Sequence, residues 1–183
     1  KDNIKIALMG KNGSGKTTIA KLLLGFYKNY SGSIRINGIE LKTISLSDLR
    51  SRVGTVAQNV VLFTGTLLDN IRYIAPDLKE SEIISALDNA GMDISEFADG
   101  LQTMICENGK NLSGGQKQKI AIARMIVKNP DVMIFDEATS NLDIATSDIV
   151  KKSIRTLFSE KICIIITHDP NIATLADTVI ELK

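Results

Sequence analysis

An α/β fold with a mainly parallel core sheet, a remnant antiparallel β hairpin and a helical subdomain is predicted by three features of the sequence. Short apolar runs at residues 4–9, 132–135 and 162–166 each lead into glycine or polar residues, the pattern of buried parallel strands. The glycine-rich stretch Gly10-Lys11-Asn12-Gly13-Ser14-Gly15-Lys16-Thr17-Thr18 stands between the first of these runs and a helical pattern. From residue 66 to residue 128 apolar side chains recur at helical spacing and strand-like runs disappear.

Taken in order, residues 4–9 read as a buried strand. The stretch behind them matches the phosphate-binding loop G-x-x-x-x-G-K-[ST], the Walker A pattern, in every fixed position and in the strand-to-helix context that the pattern requires. Its glycines let consecutive N–H groups converge on phosphate oxygens, and the N-terminus of the helix behind it, 16–24, favours an anion at the same place. Lys16 supplies a positive charge to the β and γ phosphates, and the Thr17 hydroxyl can enter the shell of a Mg²⁺ ion. These residues place the chain among P-loop NTPases; the alternative is a plain glycine-rich turn. In the helix, Ile19, Leu22, Leu23 and Phe26 share one face and are expected to pack inward.

Ser31-Gly32 and Asn37-Gly38 bracket residues 33–36, and residues 39–41 form the return strand of a hairpin. Residues 53–56 read as another core strand, ending at Ala57-Gln58. Within the helical stretch, Leu67, Leu68 and Ile71, then Ile83, Ile84 and Leu87, follow helical spacing. A polar loop, Asn108-Gly109-Lys110-Asn111, feeds Leu112-Ser113-Gly114-Gly115-Gln116 and a helix over 116–127 that closes at Asn129-Pro130. The run 132–135 is followed by Asp136-Glu137, and the run 162–166 by Thr167-His168-Asp169, so polar groups collect at strand carboxyl ends, where open α/β sheets hold ligands. Helices are expected over 146–158 and 170–176, and a last strand over 178–182. The predicted organisation is one domain, with a core of 1–65 and 129–183 and a helical subdomain over 66–128.

Composition narrows the class. The 183 residues are 44% hydrophobic and 23% charged, ordinary for a globular domain. Lys and Arg number 22 against 21 for Asp and Glu, so the charge balance argues against a nucleic-acid partner. Cys106 and Cys163 show no metal-ligand spacing and read as buried small apolar residues, which fits a reducing compartment. The longest clean apolar run, 162–166, is far short of the roughly 20 residues that span a bilayer. Lys1 leads almost at once into a core strand, so the chain reads as cut from a larger protein.

Four residues carry candidate chemistry beside the phosphate loop. Asp136 is placed to hold Mg²⁺ opposite Thr17; its alternative role is a cap on the following segment. Glu137, pointing away from Asp136 in an extended chain, can orient or deprotonate a water, or else is a solvated surface carboxylate. Gln58 could reach the metal or the attacking water, although loop glutamines are commonly just solvated. His168, the chain's one histidine, could contact the γ phosphate or Glu137, and by itself reads at least as well as a structural residue.

The phosphate loop, Gln58, Leu112-Ser113-Gly114-Gly115-Gln116, Asp136-Glu137, Ser140-Asn141-Leu142-Asp143 and His168 stand in the order and approximate spacing of the ATP-binding cassette (ABC) nucleotide-binding domain, and the chain resembles that family from Gly10 to His168. The pentapeptide 112–116 is similar to that family's signature. The resemblance implies ATP and Mg²⁺ as ligands: Gly10, Lys11, Asn12, Gly13, Ser14, Gly15, Lys16, Thr17 and Thr18 around the phosphates, and Thr17, Gln58 and Asp136 around the metal. It implies Glu137 and His168 as the catalytic pair. It also implies a head-to-tail homodimer formed on ATP binding, in which Leu112, Ser113, Gly114, Gly115 and Gln116 act in trans on the nucleotide of the other copy and Asp143 crosses the same interface and couples the two sites.

A second layer of resemblance points to exporters. Asp48-Leu49-Arg50, the residues 62–66 and Asn70-Ile71 look like cassettes fused to a membrane domain of the same polypeptide, with bacterial peptide and bacteriocin exporters the nearest in character. Residues 103–109, with Glu107, are similar to the loop that senses the membrane domain; an exposed loop charge is the alternative for Glu107. The implied function is an ATP-hydrolysing motor domain at the cytoplasmic side of the cell membrane. The alternative, a soluble ABC-type ATPase acting on nucleic acid or ribosomes, fits poorly with the short separation of Lys16 and Ser113. Against the family pattern, Lys119 stands where Arg is usual and Asn141 where Ala is more common. The adenine-stacking aromatic would precede the phosphate loop, and Tyr27 and Tyr30 do not take its role. Helices would also follow the last strand, so the chain reads as truncated at both ends and predicts an incomplete antiparallel sheet.

Overall fold

The computed structural model describes residues 4–11, 13–36, 38–140 and 142–183; Asn12, Asn37 and Asn141 lie outside the described residues. Strand β1 (Lys5–Gly10) runs into the phosphate loop and helix α1 (Lys16–Leu23). β2 (Arg35–Ile36) and β3 (Ile39–Glu40) pair antiparallel, so the small hairpin is present. Next comes α2 (Leu46–Arg52), which sequence periodicity did not reveal. It starts at Ser45, whose Oγ accepts the Asp48 N–H at 3.1 Å, and within its seven residues only Leu49 is buried, too little for an apolar stripe to register.

β4 (Val53–Ala57) precedes β5 (Gly65–Thr66), and α3 (Leu67–Arg72) and α4 (Glu80–Asn89) follow. β6 (Met104–Ile105) pairs antiparallel with β5, a two-residue ladder too short to show an alternating pattern. α5 (Gly114–Lys128) ends on Asn129 in a left-handed conformation, φ 47°, ahead of Pro130, the stop that the sequence signalled. β7 (Val132–Asp136) and α6 (Ile144–Lys152) come next. The helix expected to run on to residue 158 instead widens into a π turn over Ser153–Leu157. There the Ser153 hydroxyl donates to the Ile149 carbonyl at 2.8 Å and the Phe158 N–H reaches back to Ser153 O at 3.0 Å. β8 (Ile162–Ile166), α7 (Pro170–Ala173) and β9 (Thr178–Leu182) complete the chain. α7 is shorter than expected because Leu175 and Ala176 close three-residue turns, to Ile172 O and Ala173 O, instead of continuing the α ladder.

The chain divides into two compact units. The first comprises residues 1–55, 130–137 and 160–183 and carries the five-stranded sheet, in the order β4-β7-β8-β1-β9. β1 pairs parallel with β8 and β9, and β7 parallel with β8. Leu8, Ala20, Leu49, Ile134 and Ile166 bury against one another there, and each large aliphatic contributes about 1.5–3 kcal/mol on leaving water. Phe26 does not join them: α1 ends at Leu23, helical spacing stops, and the ring is 63% exposed. Cys163 is buried in β8, which pushes its thiol up to about 11. Cys106, expected inside, is exposed, since it precedes a short surface turn rather than lying within a packed element.

The second unit comprises residues 56–129 and 138–159. Leu67, Ile71, Ile83, Leu87, Ile120 and Ile122, all buried, join α3, α4 and α5. Arg124 ties the loop before α3 to α5. It donates to the backbone carbonyls of Asn70 and Val61 at 2.9 and 2.8 Å and to the Asn70 side-chain oxygen at 2.9 Å. Asn70, fully buried, is itself clamped to the Phe63 backbone. No helix among the described residues is long and apolar enough to cross a membrane.

Candidate functional site

In the first unit the phosphate loop is shaped by backbone geometry that side chains resist. Gly10 has φ 147°, and a Cβ there would lie 2.5 Å from the Leu182 carbonyl oxygen. Gly15 starts α1 with a left-handed φ of 95°, where a side chain would be strained although space is open around it. Lys16 follows as the first residue of the helix and is only 6% exposed. Its Nζ donates to Gly10 O at 2.7 Å and Lys11 O at 2.9 Å, which uses two of its three N–H groups and holds the charge over the loop. Thr17 and Thr18 are exposed on the first turn of α1.

These residues fit a phosphate chain. Gly13, Gly15, Lys16, Thr17, Thr18 and Glu137 line a cavity of about 290 Å³. The Ser14 hydroxyl is buried without a hydrogen-bond partner among the described residues, a cost that an acceptor oxygen in the loop would remove. The N–H groups that open α1 add their dipole to the charge of Lys16.

The register of the sheet brings the remaining groups of this unit to the same end. Leu8 and Asp136 both align with Ile166, so the phosphate loop, Asp136 and the residues after β8 leave the sheet together. The Thr167 N–H donates to Leu8 O at 3.2 Å and the Glu137 N–H to Ile166 O at 2.9 Å. Asp136 and Glu137 are separated differently from the strand alternation that the sequence suggested. The strand stops at Asp136 and Glu137 adopts φ 49°, a left-handed conformation uncommon for a residue with a side chain. This turn carries the Glu137 carboxylate to the cavity wall and sets its Oε1 3.6 Å from Nδ1 of His168. His168 is 66% exposed on its side chain, not a buried structural residue.

Asp136 is half-buried, and its carboxyl is held above the ordinary range, first by burial and then by the charge of Glu137, with Lys16 and Lys21 opposing. A half-buried carboxylate of this kind suits a hard cation bound through one carboxylate plus substrate phosphates, the habit of Mg²⁺. No group of three or more His, Cys, Asp or Glu side chains able to hold a metal by themselves occurs among the described residues.

The second unit carries the other candidates. Ser113 caps α5 through a reciprocal pair: its Oγ accepts the Gln116 N–H at 3.1 Å, and the Gln116 side-chain oxygen accepts the Ser113 N–H at 2.9 Å. This capping box was legible as S-x-x-Q and fixes the signature turn from within. Ser113 and Gly114 are exposed, and Leu112 is half-buried with its N–H on Gly109 O at 2.9 Å. Gly115 packs on Thr146, with a Cβ there falling 2.7 Å from the Thr146 hydroxyl oxygen. Asp143 caps α6, its two oxygens accepting the Thr146 N–H at 2.9 Å and the Thr146 hydroxyl at 2.8 Å; those two bonds hold its carboxyl below the ordinary range. Gln58 lines a cleft of about 400 Å³ with Gly114, Ser140 and Leu142. Glu107 is exposed and pairs with Lys110 at 3.4 Å.

A family model described as ABC transporter matches residues 1–140. The chain belongs to the ABC transporter family. It is 42% identical over 174 residues to an uncharacterized ABC transporter ATP-binding protein, YwjA, of Bacillus subtilis, covering 94% of this chain and 30% of that protein. It is 39% identical over 180 residues to an ATP-dependent lipid A-core flippase of Francisella novicida, covering 97% of this chain and 30% of the flippase. A solved bacterial Atm1-family ABC exporter with ATP bound superposes with a TM-score of 0.92 at 36% identity, over 100% of this chain and 32% of that one. The chain thus spans about a third of the length of these relatives. Its α/β fold is that of an ABC ATPase, and its kinship is with the ATP-binding domains of exporters, ATPases coupled to transport. Nucleotide binding follows from that membership, and a nucleic-acid or ribosome-acting ATPase finds no support among these relatives.

Proposed function

We propose that this chain is the ATP-hydrolysing motor domain of a membrane exporter, working at the cytoplasmic face with a membrane domain of the same polypeptide and as a head-to-tail pair with a second copy. It is one nucleotide-binding domain with a core of 1–65 and 129–183 and a helical subdomain over 66–128. The observation that carries this reading is Glu137, turned by its left-handed backbone onto the wall of the phosphate-loop cavity and set beside His168.

The loop 10–18 and the α1 N-terminus bind the phosphates, with the Lys16 charge on the β and γ groups. Thr17, Asp136 and Gln58 are the residues that would hold Mg²⁺, which when bound would neutralise charge on the phosphate oxygens. Water attacks the γ phosphorus, the bond to the β-phosphate bridging oxygen breaks, and ADP and inorganic phosphate form. Glu137 orients that water and accepts its proton, and His168 positions Glu137 and contacts the γ phosphate. Ser113, Gly114 and Gly115, flanked by Leu112 and Gln116, act on the nucleotide of the other copy, and Asp143 crosses the same interface and couples the two sites, which links hydrolysis to closure of the pair and to transport.

Glu137→Gln in the full-length protein tests the assignment. Loss of the base is expected to lower ATP turnover by about 10²- to 10⁴-fold while ATP binding stays close to wild type. Turnover near wild type would remove Glu137 from the base's role.

A further inference from the structure

Thr146 stands where the signature turn meets Asp143, and it makes three contacts there through two groups. It is 6% exposed. Its backbone N–H donates to one oxygen of Asp143 at 2.9 Å and its hydroxyl to the other at 2.8 Å, so both carboxylate oxygens are held by one residue. The same hydroxyl oxygen faces Gly115 so closely that a Cβ at position 115 would come within 2.7 Å of it. The opening turn of α5, already locked by the Ser113–Gln116 pair, therefore packs against the opening turn of α6 at Thr146. Capping α6 needs only the backbone N–H of Thr146; the hydroxyl contact with Asp143 and the close approach to Gly115 go beyond a cap.

We propose that Thr146 is a positioning residue that joins the signature turn to Asp143, so that both meet the partner copy as one surface. The inference rests on the reading of Ser113, Gly114, Gly115 and Asp143 as groups that act in trans. It deepens that reading by naming the residue that sets their mutual placement. Groups that must meet one partner surface lose rate when their relative position loosens, even though each is still present.

The test uses the full-length protein. Thr146→Val keeps the shape against Gly115 and the backbone N–H but deletes the hydroxyl donor. It is expected to lower kcat about tenfold, the scale of one hydrogen bond to a charged group, with ATP affinity within about twofold of wild type. Thr146→Ser, which retains the hydroxyl, is expected to restore at least half of wild-type turnover. Thr146→Ala, which removes the hydroxyl without adding bulk, should lower kcat in the same way and carries the test if Thr146→Val does not fold. A loss shared equally by the Val and Ser variants, in step with their melting temperatures, would reduce Thr146 to a structural cap and overturn the proposal. Ser113→Arg separates the two readings. If it abolishes turnover while Thr146→Val leaves kcat intact, the positioning role falls and the trans reading stands; if it also leaves turnover intact, both fall.

Discussion

Two helices open onto the candidate chemistry, and their N-termini are built in opposite ways. α1 begins at Gly15, left-handed and without a side-chain cap among the described residues, so the N–H groups of its first turn face the phosphate-loop cavity unclaimed by a side chain. α5 begins at Ser113, inside a reciprocal capping box with Gln116. A helix start leaves up to four N–H groups without a partner in the helix. α1 keeps them for an anion and adds the Lys16 charge, which makes a seat. α5 satisfies two of them from within, the N–H groups of Ser113 and Gln116, which makes a rigid turn. The Ser113 oxygen accepts from Gln116, but its O–H remains a donor, so the turn can still offer a hydroxyl together with the first glycine N–H groups. The contrast separates a site that must yield to a ligand from one that must be ready-made when a ligand arrives.

Substitutions at the two helix starts should therefore part company. The largest effect is expected from Lys16→Ala, because the buried ammonium is the seat's only full positive charge among its cavity-lining residues. Nucleotide affinity should fall by about 10- to 100-fold, the scale of a charge-assisted contact, as read by titration calorimetry. An unchanged affinity would mean that α1 is not the phosphate seat.

Ser113→Ala should act on the other helix and in another measurement. Losing the cap costs about 1 kcal/mol, a fall of roughly 2–4 °C in melting temperature for a domain of this size, with nucleotide affinity of the isolated chain unaltered. A weakened affinity in the isolated chain would show that the signature turn serves the same copy's nucleotide, and would erase the contrast.

The smallest effect concerns Asp136, the carboxylate that ends β7. Asp136 has its folded-state pKa raised by burial and by Glu137, so its ionised form is disfavoured by folding. Its contribution is most favourable below the unfolded value near 3.9 and worsens as the pH rises through the folded value. Asp136→Asn should therefore raise the melting temperature of the nucleotide-free chain by about 1–2 °C at neutral pH, and the gain should vanish at a pH below about 4. A variant less stable than wild type at neutral pH would show that the Asp136 charge is already compensated without a cation.

How much of this was legible depends on how local each feature is. The phosphate loop, Asp136 with Glu137, and the signature turn are contiguous, and local chemistry spells them out: a strand, a run of glycines, a lysine at the helix start. The S-x-x-Q cap at Ser113 and the D-x-x-T cap at Asp143 were equally local, though both are easily passed over as ordinary polar residues. α2 escaped because one buried leucine makes no periodicity, and Phe26 was misplaced because the helix ends three residues before it. Cys106 was misassigned because composition favours buried cysteines while its own loop does not.

By itself the sequence determined the parallel α/β class, the phosphate seat and the order of the functional segments, because strand burial, glycine spacing and helix starts are properties of neighbours in the chain. Tertiary structure alone decided which of those segments meet. The parallel register of β1, β7 and β8 brings Asp136, Glu137 and His168 to one end of the sheet. The left-handed turn at Glu137, rather than strand alternation, sends its carboxylate to the cavity. The packing of two helix starts makes one threonine hydroxyl the contact between Gly115 and Asp143. Such meetings rest on close packing between residues far apart in sequence, and no local pattern records them.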